Sequence, residues 1–190
     1  EIAQCLVGSE MCIRDSKGRK AVFCGDIGCY TLGNAQPLDM TDTCLCMGAD
    51  VTMAQGMQRI EPDTLHFSFI GDSTFFASGI TGVVNAVYNQ TDIILVVLDN
   101  STTAMTGHQP HPGTGVTMMG EVSNCISIEK ILEAIGVRSI QITDPLDYAA
   151  AVAAVQKAAG ETGDGAALIP NYLRLSQAER ERLEREQINS

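Results

Sequence analysis

Residues 65–100 read LHFSFIGDSTFFASGITGVVNAVYNQTDIILVVLDN, and within them the hydrophobic period changes twice. Leu65 to Ile70 is a short apolar run closed by Gly71-Asp72-Ser73, the pattern of a strand that ends in a turn. From Thr74 to Asn89 the apolar positions Phe75, Phe76, Ile80, Val83, Val84 and Val87 recur at helical spacing, and Gly79 and Gly82 permit close packing. Asp92 to Leu98 is then almost continuously apolar and β-branched, as a strand buried on both faces of a parallel sheet must be. Strand, helix and strand in this order make one right-handed crossover unit, with the second strand near the sheet centre.

The alternation continues in both directions. Upstream, Lys20 to Cys24 predicts a strand ending in the turn Gly25-Asp26-Ile27-Gly28; a looser stretch follows to about Met47, and Gly48 to Ile60 predicts a helix stopped by Pro62-Asp63. Downstream, Ser127 caps a predicted helix running to Gly136, and Val137 to Ile142 predicts a strand. Asp144, with Pro145 behind it, opens a helix reaching Gly160, and Ala166 to Ile169 is a last short strand. The fold class that follows is α/β, a doubly wound parallel sheet. One domain is expected over 17–170. An extension at 1–16 and a tail at 171–190 flank it, and Glu179 to Glu186 (ERERLERE) in the tail alternates charge as a solvated helix does.

A chain of 190 residues can build one substantial core. Its net charge of −11 argues against nucleic acid, which is bound through clustered Lys and Arg, but an acidic protein can bind an anionic ligand through a divalent cation. The apolar run Ile93 to Leu98 is too short to cross a bilayer. Seven cysteines without a secretory signal suggest reduced thiols and a cytoplasmic location. The spacings Cys24-x4-Cys29 and Cys44-x-Cys46, with Cys5, Cys12 and Cys125 scattered, match neither a zinc ribbon nor a ferredoxin run.

In a doubly wound sheet, ligands sit where strands end and helices begin. The two unusual strand ends are Gly71-Asp72-Ser73 and Asp99-Asn100, which emerge at one sheet edge if their strands are neighbours. Mg²⁺ takes hard oxygens in an octahedron, usually one or two carboxylates with phosphates and water. Asp72 offers a carboxylate, Asn100 an amide oxygen and Thr102 a backbone carbonyl, while the helix opening near Thr74 aims its dipole at an anion. Taken alone, Gly-Asp-Ser after a strand is a turn with a helix cap. Its pairing with Asn100 across a helix and a buried strand is what points to a metal. The loop Asp99 to Glu121, with four Gly and two Pro, is too long to be a mere connection. His108 and His111 lie in it as HQPH without the companion ligands zinc needs, and His66 within a strand reads as structural.

The arrangement resembles the thiamine diphosphate (TPP) motif, in which Gly-Asp-Gly or Gly-Asp-Ser is followed some thirty residues later by Asn. The flanking text narrows the likeness. GDIGCYTLG (Gly25 to Gly33), DTCLCMGA (Asp42 to Ala49) and the run from Gly71 to Gly113 resemble the large subunit of the indolepyruvate:ferredoxin oxidoreductase family, over roughly Ala21 to Ile169. The resemblance implies the diphosphate-domain fold and Mg²⁺ held by Asp72, Asn100 and the Thr102 carbonyl. It also implies cofactor contacts from Gly25, Asp26, Ile27, Gly28 and Cys29, from Met47 and Gly48, and from Gly71, Asp72 and Ser73. The loop from Thr103 onward, with Ala104, Met105, Thr106 and Gly107, would wrap the diphosphate.

For the intact enzyme the resemblance implies oxidative decarboxylation of an aryl 2-oxoacid such as indolepyruvate to an acyl-CoA and CO₂, with ferredoxin reduced. A small (beta) subunit and an oligomer are implied as well. Relatives carry a Cys-Pro-Gly-Cys-Pro stretch, a pyrimidine-binding domain with the activating glutamate, and [4Fe-4S] cysteine runs, none of which is seen in this sequence. No catalytic residue is therefore assigned within the chain. Cys5 to Ser16 (CLVGSEMCIRDS) resembles a translated sequencing adapter, so 1–16 is set aside from fold reasoning. Two enzyme alternatives stand beside this reading: a pyruvate or 2-oxoglutarate ferredoxin oxidoreductase, and a non-oxidative TPP decarboxylase. A non-catalytic nucleotide-binding module is the third, although no Gly-x-Gly-x-x-Gly or Walker sequence supports it.

Overall fold

The continuous apolar runs that announce buried strands lie at the middle of a sheet that has six strands among the described residues. The computed structural model of the chain describes residues 20–36, 39–144, 147–160 and 166–170. The expected extension at 1–16, the tail at 171–190, Cys5, Cys12 and Pro145 lie outside the described residues. The strands β1 (Ala21–Gly25), β2 (Thr43–Cys44), β3 (Leu65–Gly71), β4 (Ile94–Leu98), β5 (Ser139–Thr143) and β6 (Ala166–Pro170) are all parallel, in the order β2-β1-β3-β4-β6-β5. All seven residues of β3 are buried, as are the first four of β4.

The two faces of the sheet separate by the period of two inherent in a strand. On one face Cys24, Ile70, Leu95 and Val97 pack with residues of α1 (Ala49–Ile60), α3 (Ile80–Tyr88) and α4 (Ile128–Ile135), among them Val51, Val83 and Leu132. On the other, Phe23, Phe67, Phe69, Ile94 and Val96 meet Val155 and Ala158 of α5 (Tyr148–Gly160). Phe23 and Phe67 stack with ring centroids 5.3 Å apart. Each such fully buried phenylalanine contributes about 3 kcal/mol by removal from water. Helices on both faces of a parallel sheet make the doubly wound architecture. No helix among the described residues is long and apolar enough to cross a membrane.

The structure departs from the sequence reading at element ends. Residues 43–44 add an edge strand beside β1, in the stretch read as loose. The helix expected from Thr74 starts at Asp72: a short α2 (Asp72–Thr74) passes through a π-helical turn (Phe75–Gly79), closed by Ile80 N–H to the Phe75 carbonyl, into α3. The helix expected from Gly48 begins one residue later, with Gly48 as its cap at φ +80°. The strand expected at Val137–Ile142 is shifted to Ser139–Thr143. Asp147, not Asp144, caps α5, its Oδ1 accepting the Ala150 N–H at 3.0 Å. The described helix starts at Tyr148, three residues later than a cap at Asp144 would place it, and Asp147 is the residue immediately before it. Ser127 does cap α4, accepting the Lys130 N–H at 3.1 Å, and Gly136 closes it in the left-handed region.

Candidate cofactor site

The chain leaves β1 toward β2 on one side and β3 toward β4 on the other, so the sheet reverses its winding between β1 and β3. A crevice opens at the carboxyl ends of such strands. Gly25-Asp26 and Gly71-Asp72 stand there, with Gly48 at the start of α1 beside them. Asp26 is fully buried and turned inward. Its Oδ1 accepts the Gly48 N–H at 3.0 Å, and its Oδ2 accepts the Tyr30 hydroxyl and, at 3.4 Å, the Gly71 N–H. Tyr30 Oη in turn accepts the Gly71 N–H at 2.9 Å. One carboxylate thus joins the three turns that sequence reasoning named separately. Burial, then the charge and hydrogen bond of Asp26, push the Tyr30 phenol far above its ordinary range, which keeps its proton in place as a donor. Gly48 needs its missing side chain: at φ +80° a Cβ would lie 2.4 Å from Ser78 Oγ.

Behind this tie lies a second acid. Asp50, in the first turn of α1, is fully buried; Ser68 donates to its Oδ2 at 2.5 Å, and its Oδ1 has no partner. Burial raises its carboxyl to about 7, against the lowering effect of the Ser68 hydroxyl and with a further rise from Asp26.

One strand over, Gly71 of β3 pairs with Leu98 of β4, which brings Asp72 and the Asp99-Asn100 turn to the same edge. Asp72 is buried. Its Oδ1 accepts the Ser73 N–H at 2.7 Å; its Oδ2 accepts the Asn100 N–H at 3.2 Å and lies 3.0 Å from His111 Nε2. Asn100 Oδ1 accepts the Thr102 N–H at 3.2 Å, and Thr103 donates to Ser73 Oγ at 2.7 Å. Ser101, at φ +54°, allows the sharp turn that stacks these groups.

Burial works to raise Asp72, but the hydrogen bond from His111, with Asp99 and the Ser73 amide, outweighs it and holds the carboxyl below its ordinary range. Asp99 moves the other way, raised by burial and by its acidic neighbour. Its Oδ1 accepts the Ser101 N–H at 2.8 Å.

Two carboxyls side by side, with an imidazole and backbone amides around Asp72, suit a cation. Among the described residues no three His, Cys, Asp or Glu side chains converge as a metal cage. A metal here would rest on the mixed oxygen set of Asp72, Asn100 Oδ1 and the Thr102 carbonyl, completed by ligand oxygens and water. That is the donor chemistry of Mg²⁺ bound with a diphosphate. These residues fit that group.

The remaining expected residues line the same edge or its rim. Ile27 and Met47 are exposed, Gly28 precedes a 3₁₀ turn (Cys29–Asn34), and Cys29 opens it. Thr103 pairs with Gln109 and accepts the His108 N–H, closing a loop whose Ala104 is half-buried and whose Met105, Thr106 and Gly107 are exposed. Sequence reasoning did not foresee Tyr30, the contact of the Asp99 carboxyl with Asp72, Thr103 as a partner of Ser73, or the contact of His111 with Asp72. HQPH was visible as a motif, but no spacing rule connects residue 111 to residue 72.

The model of a family described as thiamine pyrophosphate enzyme, C-terminal TPP binding domain, matches residues 26–170. The chain belongs to this family. Within it, the chain is similar to indolepyruvate oxidoreductase subunit IorA of Archaeoglobus fulgidus, at 43% identity over 143 residues, 75% of this chain and 23% of that protein. IorA of Methanothermobacter marburgensis is 47% identical over 131 residues, 69% of this chain and 21% of that protein. The chain therefore spans about a quarter of the length of these curated relatives. Among solved structures, the 2-oxoglutarate:ferredoxin oxidoreductase of Magnetococcus marinus superposes with a TM-score of 0.74 at 16% identity, covering 90% of this chain and 60% of that one. That likeness establishes the diphosphate-domain fold, a parallel α/β sheet, for this TPP-binding domain.

Proposed function

We propose that this TPP-binding domain holds Mg²⁺ and the diphosphate of thiamine diphosphate through Asp72, Asn100 Oδ1 and the Thr102 carbonyl. The larger enzyme it serves would carry out oxidative decarboxylation of an aryl 2-oxoacid of the indolepyruvate type. The observation that carries the metal assignment is the juxtaposition of Asp72 and Asn100 at adjacent strand ends, 28 residues apart and joined by the Asn100 N–H to Asp72 Oδ2 bond. When bound, thiamine diphosphate supplies the carbanion-stabilising ring chemistry. The chain's residues bind and orient it: the Gly25–Cys29 and Met47–Gly48 turns form the floor, and Ala104, Met105, Thr106 and Gly107 form a flap over the diphosphate.

The aryl substrate class rests on the identity to relatives named indolepyruvate oxidoreductase. Ferredoxin as electron acceptor, CoA as acyl acceptor, a small partner subunit, an oligomeric assembly, [4Fe-4S] clusters elsewhere in the enzyme and a cytoplasmic location belong to the same reading. The test is metal-dependent TPP binding, measured by titration calorimetry with Mg²⁺ present. Asp72→Ala and Asn100→Ala should each weaken it at least ~10-fold, the scale seen even when outer support of a metal site is lost. Asp92→Ala, outside the constellation, should leave it unchanged. Equal affinity with and without the Asp72 carboxylate refutes the assignment.

A further inference from the structure

The imidazole of His111 is held on three sides. Its Nδ1 accepts the Gly113 N–H at 3.1 Å, its ring stacks on Phe76 with centroids 5.6 Å apart, and its backbone carbonyl accepts both the N–H and the hydroxyl of Thr114 at 2.9 Å. The flanking Pro110 and Pro112 restrict the backbone as well. The packing leaves no slack: a Cβ on Gly113 would stand 2.9 Å from the Phe76 ring and 3.0 Å from the imidazole. A ring nitrogen that accepts a backbone N–H carries no proton of its own, so the proton of the neutral ring is on Nε2. That nitrogen is buried 3.0 Å from Asp72 Oδ2.

The consequence is an unequal loading of the Asp72 carboxylate. Oδ2 accepts from two backbone or ring donors, His111 Nε2–H and Asn100 N–H, whereas Oδ1 accepts one, the Ser73 N–H, with the Asp99 carboxyl beside the pair. A carboxylate has about four acceptor positions, two on each oxygen. We infer that His111 is a positioning residue for the metal site: its locked Nε2–H occupies Oδ2, fixes the rotation of the Asp72 carboxylate, and turns Oδ1, the oxygen with fewer fixed donors, toward a cation. The inference rests on the reading of Asp72 as a metal ligand. Hydrogen-bonded partners that orient a ligating carboxylate commonly change metal affinity 10- to 100-fold when removed.

The experiment uses the full 190-residue chain with Mn²⁺ as a paramagnetic stand-in for Mg²⁺, counted by electron paramagnetic resonance in the presence of TPP. Four proteins are compared: unaltered, Asp72→Ala, His111→Leu and His111→Gln. Leucine removes the donor. Glutamine returns an amide N–H close to the position of Nε2. The expected order is unaltered chain tightest, His111→Gln within about threefold of it, His111→Leu weakened about 10-fold and Asp72→Ala at least as weak. A merely structural role would not be rescued by the flexible, non-aromatic glutamine.

Near-normal Mn²⁺ affinity in His111→Leu beside a loss in Asp72→Ala overturns the positioning role while the metal reading stands. Affinity in His111→Gln no better than in His111→Leu overturns it too. If the unaltered chain binds no Mn²⁺, or Asp72→Ala binds it equally well, the metal reading fails and the inference with it. A readout independent of both variants is the ¹⁵N spectrum of the His111 ring in the metal-free chain. It should show Nε2 protonated and Nδ1 bare, and the opposite tautomer refutes the argument even if His111→Leu does not fold.

Discussion

Asparagine at position 50 should make the protein more stable at neutral pH and insensitive to a fall in stability that the native chain must undergo. Asp50 is fully buried with one oxygen on Ser68 and the other without a partner, and its carboxyl is raised from 3.8 to about 7. The unfolded chain loses this proton near pH 4 and the folded chain only near 7. Between those values the folded state binds more protons, so stability decreases as pH rises through the window and is flat above it. The full difference corresponds to about 4 kcal/mol. Asparagine keeps the shape and the Ser68 acceptor but has no proton to lose. Urea unfolding of the native chain and Asp50→Asn, followed by circular dichroism from pH 5 to pH 8, gives the comparison. The advantage of the variant should grow by about 3 kcal/mol across that range, since two-thirds of the window lies within it. A stability difference that stays constant with pH would refute the reasoning, and a variant that loses ground as pH rises would reverse its sign.

Asp26→Ala should cost on the order of 4 kcal/mol in urea unfolding, because it strands the half-buried amide of Gly48 and hydroxyl of Tyr30 without their acceptor. Tyr30→Phe is the milder cut: about 1–2 kcal/mol, since Gly71 N–H keeps a weak bond to Asp26, and an unchanged midpoint would show the phenol to be idle. Two glycine replacements should move in opposite directions by thermal melting. Gly48→Ala should destabilise by about 2 kcal/mol or more through its positive φ and the clash with Ser78, whereas Gly56→Ala, in the middle of α1 with open space around it, should stabilise by about 0.5–1 kcal/mol.

What the sequence disclosed and what it withheld follow from the range of the forces involved. Burial on both faces writes itself into the chain as uninterrupted apolar residues, so β3 and β4 were legible, and so was the pairing of Asp72 with Asn100 at their ends. Two-residue strands carry no period, so Thr43–Cys44 was not. The π-turn at Phe75–Gly79 left no mark either, because the apolar positions of this stretch are compatible with ordinary helical spacing. Within the site, Asp26 was identified as a neighbour of the cofactor by resemblance, yet its carboxylate faces the protein and binds Gly48 and Gly71, 22 and 45 residues away. Such partners, like His111 for Asp72, are chosen by where loops return in space, which no local pattern encodes.

The inward turn of Asp26 also bears on how the site opens and closes. Since the amides of Gly48 and Gly71 share one buried acceptor, neither turn can swing out without exposing the other half of the contact, and the floor of the crevice behaves as a single cooperative unit with β1 and β3. Hydrogen exchange at those two amides should accordingly proceed only through global unfolding, as slowly as in the centre of the sheet. The exposed segment from Met105 to His108 should exchange orders of magnitude faster. On the reading proposed above, a rigid floor under an exposed flap would confine the ordering cost of a bound diphosphate to a few residues and keep most of the site preorganised.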